Sequence, residues 1–138
     1  MSKIVAYLNF PGTCREAMTF YQQCLGGELN VMGFDQMPNA DQMPEAARNG
    51  VMHANLVNGP LTLMASDNFM DSVTNGDSVS LSLDCDTVAD AAQFFAALSE
   101  SGMVKMPLAD QFWGAKFGML VDKFGINWMV NYDYRQGE

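Results

Sequence analysis

Hydrophobic and polar positions change their period along the chain in an order that occurs twice. Lys3 to Phe10, KIVAYLNF, is a short apolar run rich in strand formers, and Pro11-Gly12 halts it. Thr13 is placed to cap a helix in which Ala17, Met18, Tyr21, Cys24 and Leu25 recur at three- and four-residue steps; Gly26-Gly27 ends it. Glu28 to Phe34 reads as a strand. Val51 to Val57 and Leu61 to Ala65 predict a hairpin across Asn58-Gly59. Between these strands Gly33 to Gly50, GFDQMPNADQMPEAARNG, is polar, holds two prolines and repeats its own DQMP. A segment of that length predicts a loop or lid.

The order then restarts. Ser78 to Asp84, SVSLSLD, alternates with period two and predicts a strand whose serines share one face. Thr87 caps a second helix, with Ala91, Ala92, Phe94, Phe95 and Leu98 as its buried positions and Gly102 closing it. Strands follow at Met103 to Leu108, Trp113 to Val121 and Ile126 to Tyr132. The pair Phe20-Tyr21 returns as Phe94-Phe95 in the same place on the second helix. The pattern predicts an α+β chain of two βαβββ repeats, about 1–70 and 76–138, forming one domain over 1–138. A unit of roughly 70 residues with one helix cannot cover both faces of its sheet, so two such units are expected to cover each other around a central cleft.

Composition narrows the function. Of 138 residues 49% are hydrophobic and 17% charged, which excludes a disordered chain. Seven basic against sixteen acidic residues give a net charge of −9, which argues against nucleic-acid or anionic-membrane partners. No apolar run reaches the roughly 18 residues of a membrane span, and no signal-peptide pattern opens the chain. Three cysteines, Cys14, Cys24 and Cys85, odd in number and without a C-x-x-C pair, predict reduced thiols and a cytoplasmic protein. Twelve methionines fill core positions, with Met37, Met43, Met103 and Met106 in or beside loops, where adaptable thioethers suit a lid or a subunit contact.

The βαβββ repeat, FYQQCLGGEL (Phe20 to Leu29) and VDKFGINWMV (Val121 to Val130) resemble the vicinal oxygen chelate superfamily, which holds glyoxalase I, extradiol dioxygenases, fosfomycin-modifying enzymes and bleomycin-resistance proteins. HANL (His53 to Leu56), MASD (Met64 to Asp67), FWGAKFG (Phe112 to Gly118) and DKFGINWM resemble its PhnB-like branch, which also carries a demethylubiquinone-methyltransferase label. The resemblance implies the glyoxalase/bleomycin-resistance fold. In catalytic members it implies one divalent metal held by four side chains, usually His or Glu, on the first and last strands of each unit. Carried onto this chain, those positions fall at Ala6, at Met64 or Ala65, at Ser78 or Ser80, and at Met129. None offers the carboxylate or imidazole that such an ion requires. No metal and no other cofactor is therefore expected.

Candidate ligand contacts are His53, Ser78, Ser80, Trp113, Asn127 and Met129. His53, the one histidine, is the best candidate for proton transfer near neutral pH and is otherwise a hydrogen-bonded strand residue. The serine row and Asn127 offer hydrogen bonds if they face inward, or face water if they do not; Trp113 offers an aromatic wall or a core residue. A Cys–His nucleophile is disfavoured because Cys14 and Cys24 sit on the apolar side of their helix. The expectation is a binding protein for an unidentified small molecule, or a metal-independent enzyme, paired as a homodimer. Two alternatives stand beside it: a metal-dependent lyase or dioxygenase whose displaced ligands include His53 with Asp67 or another carboxylate, and a drug-sequestering binder. A methyltransferase has no support in the sequence, which shows no glycine-rich nucleotide-binding strand-turn-helix.

Overall fold

The computed structural model describes residues 2–70 and 72–137, and it divides into two compact units, Met1–Thr74 and Asn75–Glu138. In the first unit the strands are β1 (Ala6–Phe10), β2 (Glu28–Gly33), β3 (Val51–Asn58) and β4 (Leu61–Asp67), with helix α1 (Cys14–Leu25) between β1 and β2. They form one sheet in the order β1-β4-β3-β2, with β1 and β4 parallel and the other pairs antiparallel. α1 packs against β2, β3 and β4. Its buried stripe includes all five positions that the spacing marks, Ala17, Met18, Tyr21, Cys24 and Leu25. Opposite it lie Phe10, Ala54, Leu56, Leu63 and Ala65, each buried. Each fully buried large side chain in such a core contributes about 1.5–3 kcal/mol relative to an exposed one.

Local chemistry sets the ends of these elements. Thr13 precedes α1 but makes no side-chain cap bond. Asp67 serves instead: its Oδ1 accepts from Gly12 N at 3.0 Å and Cys14 N at 2.8 Å, and its Oδ2 accepts from Val51 N at 2.8 Å. At the far end of α1, Gly27 holds φ +99°, and a Cβ there would stand 2.4 Å from Val57 O. The β3–β4 hairpin turns one residue later than Asn58-Gly59 implies. Asn58 pairs with Leu61, so Gly59-Pro60 is the two-residue loop, with Gly59 at the positive φ (+58°) of a primed turn. Asn58 is released to donate from Nδ2 to Leu25 O at 2.8 Å.

The Gly33–Gly50 segment is not plain coil. Each DQMP copy closes a 3-10 turn, Phe34–Gln36 and Ala40–Gln42, followed by an extended methionine, Met37 or Met43, at ψ 148° and 151°. The proline after each methionine forces that extension. A one-turn helix, α2 (Glu45–Arg48), follows.

The second unit has the same topology: β5 (Leu81–Asp84), α3 (Val88–Leu98), β6 (Met103–Gln111), β7 (Ala115–Val121) and β8 (Asn127–Asp133), in the order β5-β8-β7-β6 with β5 and β8 parallel. Thr87 caps α3 as expected, its Oγ1 accepting from Asp90 N at 3.0 Å. Ala91, Phe95 and Leu98 are buried, Phe94 is half-buried and Ala92 is exposed, because the sheet meets a narrower stripe than the five apolar residues span. The helix closes through Ser101, at φ 59°, one residue before Gly102. Three further expectations shift. The serine strand begins only at Leu81, leaving Ser78 and Ser80 ahead of it. Trp113 lies in the β6–β7 turn rather than on a strand, and β6 runs on to Gln111. No helix among the described residues is long and apolar enough to cross a membrane.

Candidate functional site

Each sheet has one face packed on its helix and one face free of it. In the first unit the register sets Tyr7 opposite Met64, Met64 opposite Asn55, and Asn55 opposite Asn30, and it sets Asn9 opposite Ser66 and His53 opposite Met32. By strand alternation these residues share the helix-free face. The face is thus a lattice of a phenol, an imidazole, amides, a hydroxyl and thioethers.

Two details give it chemical character. The Tyr7 hydroxyl lies 3.3 Å from His53 Nδ1, with ring centroids 5.8 Å apart. With the phenol donating, Nδ1 is the acceptor, and the neutral imidazole then carries its proton on Nε2 as a free donor. Beside this pair, Asn55 Oδ1 is buried with no hydrogen-bond partner among the described residues. An orphaned buried acceptor costs about 1–3 kcal/mol, and a donor from a bound molecule would recover it.

The corresponding face of the second unit sets Ser82 opposite Met129, Met129 opposite Met119, Asp84 opposite Asn131, and Asn131 opposite Phe117. Asn131 Nδ2 donates to Asp84 Oδ1 at 3.4 Å. Met129 is half-buried here, as is Asn127 at the start of β8. Asn127, however, spends its amide on the backbone, donating to Gly76 O at 2.6 Å and Val79 O at 3.4 Å. Those bonds tie down the stretch holding Ser78 and Ser80, which accounts for its not joining the ladder. Trp113, half-exposed at the hairpin tip, meets Phe117 edge-on with centroids 6.0 Å apart. The second tryptophan is core: Trp128 is buried and donates from Nε1 to Asp122 Oδ2 at 2.9 Å. The expected contacts thus separate, with His53 in the first unit and Ser78, Ser80, Trp113, Asn127 and Met129 in the second.

The register also corrects the chelating positions. Ala6 pairs with buried Leu63 and so lies in the row facing α1, as does fully buried Ala65. On the helix-free faces the parallel strands pair Tyr7 with Met64 and Asn9 with Ser66 in the first unit, and Ser82 with Met129 and Asp84 with Asn131 in the second; the carried-over positions fall on or beside Tyr7, Met64, Ser82 and Met129. Asp67 is no partner for His53 either. It lies in the helix-side row with Phe10 and Ala65, and it spends both oxygens on backbone N–H groups. Among the described residues no group of three or more His, Cys, Asp or Glu side chains is arranged to hold a metal ion. A phenol, a hydroxyl and two thioethers do not fit the hard divalent ion of the catalytic superfamily members.

Cys14 and Cys85 are not nucleophiles at neutral pH. Burial, then the Asp67 charge, pushes Cys14 up to about 12 against a smaller opposing pull from Arg15. Burial, then Asp90, Asp84 and Asp86, pushes Cys85 up to about 11. Spacing and resemblance single out none of Tyr7, Asn9, Asn55 and Ser66 as ligand contacts. Their signal is period-two polarity within apolar strands: Tyr7 and Asn9, His53 and Asn55, Met64 and Ser66.

Paired sheets of this topology, each backed by one helix, define the glyoxalase/bleomycin resistance/dioxygenase class, and a member of that family from Burkholderia phytofirmans has the same fold at 15% identity and a TM-score of 0.60. The family model described as 3-demethylubiquinone-9 3-methyltransferase matches residues 2–131. Protein YjdN of Escherichia coli is 32% identical over 136 residues, 91% of each chain. The crystal structure of PA1353 from Pseudomonas aeruginosa is 44% identical with a TM-score of 0.85, covering 96% of this chain and 98% of that one. The PhnB protein of Bacillus cereus is 27% identical with a TM-score of 0.78, covering 95% and 99%. The chain belongs to this 3-demethylubiquinone-9 3-methyltransferase family, and it has the fold of the glyoxalase/bleomycin resistance/dioxygenase proteins.

Proposed function

We propose that the chain binds a polar small molecule through the helix-free faces of its sheets, and that any turnover proceeds without a chelated divalent metal. The observation that carries this reading is what faces outward across the two parallel strand pairs: Tyr7 with Met64, Asn9 with Ser66, Ser82 with Met129 and Asp84 with Asn131. Thioethers at two of these positions offer a hard cation nothing, and the carboxylate among them, Asp84, accepts from the Asn131 amide with no second carboxylate or imidazole in these rows. What remains suits recognition. Asn55 Oδ1 waits for a donor, Tyr7 and His53 present a coupled hydrogen-bonding pair, and Met64 and Met129 give adaptable apolar contact. If the bound molecule holds a transferable proton, His53 takes it in the other tautomer, with Nδ1–H donating to the Tyr7 oxygen and the Nε2 lone pair open to the proton. A metal-dependent reading that uses His53 lacks a nearby carboxylate partner in Asp67, so it is not favoured. Sequestration and turnover share the same contacts.

The family's description names a methyl transfer, yet nothing on these faces calls for that chemistry, and the reading rests on binding alone. Three buried cysteines fit a reducing, cytoplasmic setting. Exposed Met103, Val104 and Met106 on edge strand β6 fit a homodimer contact.

Metal analysis of protein purified without chelator, paired with a thermal-shift screen of small molecules, tests the proposal. The expected result is no stoichiometric divalent metal, together with hits whose stabilisation is reduced about tenfold in apparent affinity by Tyr7→Phe or His53→Ala. One equivalent of metal lost in His53→Ala would overturn the reading.

A further inference from the structure

The Gly33–Gly50 segment and the carboxyl ends of β1 and β4 enclose a cavity of about 420 Å³ wholly within the first unit. That volume lies toward the small end of the roughly 300–1,000 Å³ typical of small-molecule sites. Its position has a topological cause. β1 and β4 are parallel and finish together at Phe10 and Asp67, so the chain leaves both strands at one edge and space opens beyond them. The walls are apolar: Phe34, Met43 and Ala47 from the polar-looking loop, and Phe69 from the segment after β4. Phe34 and Phe69 meet edge-on with centroids 5.9 Å apart. The Phe69 ring lies over the bare backbone of Gly50, where a Cβ would come within 2.6 Å of it.

Polarity enters along the strand ends, where Asn68 also borders the cavity but spends its Oδ1 accepting from Met70 N at 3.0 Å. Asn9 and Ser66 face each other across the parallel pair and border the cavity. Asp67, the titratable residue on the border among the described residues, has both oxygens engaged by backbone N–H groups. Among the described residues no cation lines the border to greet an anion, and the chain's net charge of −9 would repel one.

We infer that this cavity is a binding site for a neutral, ring-bearing small molecule with a single hydrogen-bonding edge, such as a carbonyl, hydroxyl or amide, directed at Asn9 and Ser66. The ring stacks among Phe34, Phe69 and the Met43 thioether. This goes beyond the function proposed above, because it uses neither the Tyr7–His53 pair nor the second unit, and it stands or falls separately.

The probe is N-phenyl-1-naphthylamine, a neutral fluorophore with two aromatic groups and one N–H, titrated into the full chain. The expected result is saturable, blue-shifted fluorescence at one probe per chain, with amide NMR shifts concentrated at Asn9, Phe34, Ala47 and Ser66. Two cavity-filling variants, Ala47→Trp and Met43→Trp, lower the affinity at least tenfold; either suffices should the other fail to fold by circular dichroism. Absence of saturable binding, shifts confined to residues 75–137, or a folded filler that binds as tightly as the unaltered chain would each overturn the proposal.

Discussion

At the scale of single residues, two buried aspartates do work that an enzyme site would otherwise claim. Asp67 and Asp122 are buried carboxylates of the core among the described residues, and both spend their oxygens on the chain's own N–H groups. Asp122 Oδ1 accepts from Phe124 N and Ile126 N at 2.8 and 3.1 Å, building the turn into β8, while Oδ2 holds Trp128. Asp67 does the same for α1 and β3. Replacing Asp67 by Ala leaves three N–H groups unpaired, two of them buried, and about 3 kcal/mol of stability should be lost in urea denaturation. A loss under 1 kcal/mol would show that water or a neighbour takes over those donors. The thiols predict an alkaline limb. From pH 9 upward an unfolded thiol ionises, whereas Cys14 and Cys85 hold their protons to about 12 and about 11. Unfolding then releases protons, so stability falls as pH rises through that window by at most about 1.4 kcal/mol per unit per thiol. Below pH 9 both states keep the proton and the thiols add no slope. In equilibrium unfolding at pH 8 to 10.5, Cys14→Ala should flatten the decline; an unchanged slope would remove Cys14 from the account. None of these roles is legible in a sequence, because an aspartate at a strand end looks alike whether it meets water, a metal or its own backbone.

Elements were easier to read than the faces they present. Both helices, their order among the strands and the hairpin follow from spacing, since period and punctuation are local properties of the chain. Which face a strand turns to its helix is not local. KIVAYLNF sets Ile4, Ala6, Leu8 and Phe10 in one parity and Val5, Tyr7 and Asn9 in the other, a weak contrast that pairing with β4 resolves, with Ala6 facing inward and Tyr7 outward. Ser78 and Ser80 mislead for a related reason: period two predicts a strand, yet the Asn127 amide claims the backbone at Gly76 and Val79 before a ladder can form. FWG reads as strand by its aromatics, while Gly114, at φ 90°, closes the turn that carries Trp113. The two helix caps offer a clean contrast. Thr87→Ala removes a cap bond and should cost about 1 kcal/mol. Thr13→Ala removes no cap bond and should change stability by less than about 0.5 kcal/mol. Paired denaturant titrations check the difference, and equal losses would mean that Thr13 caps α1 in solution after all.

For the whole molecule, the same plan has been built twice with different surface chemistry. Each unit joins a parallel first–last strand pair to an antiparallel hairpin and packs one helix on the far side, yet one helix-free face carries Tyr7, His53 and Asn55 and the other Ser82, Met129 and Asp84. A scaffold of this kind holds its shape through the helix-side rows and leaves the opposite rows open to change, so membership in the superfamily fixes architecture without fixing chemistry. Charge is the property that belongs to the chain as one body. Seven cations cannot balance sixteen anions, and the ion pairs found among the described residues, Lys116–Asp110 and Arg135–Asp133, involve exposed groups. Exposed pairs contribute little, and salt screens them and the surplus repulsion alike. Repulsion should dominate because nine negative charges have no counterpart. Raising sodium chloride from 20 to 200 mM at pH 7.5 should therefore lift Tm by about 2–4 °C, corresponding to roughly 1 kcal/mol for a chain of this size. A Tm that falls over that range would mean that attractive pairs, rather than the surplus of carboxylates, govern the surface.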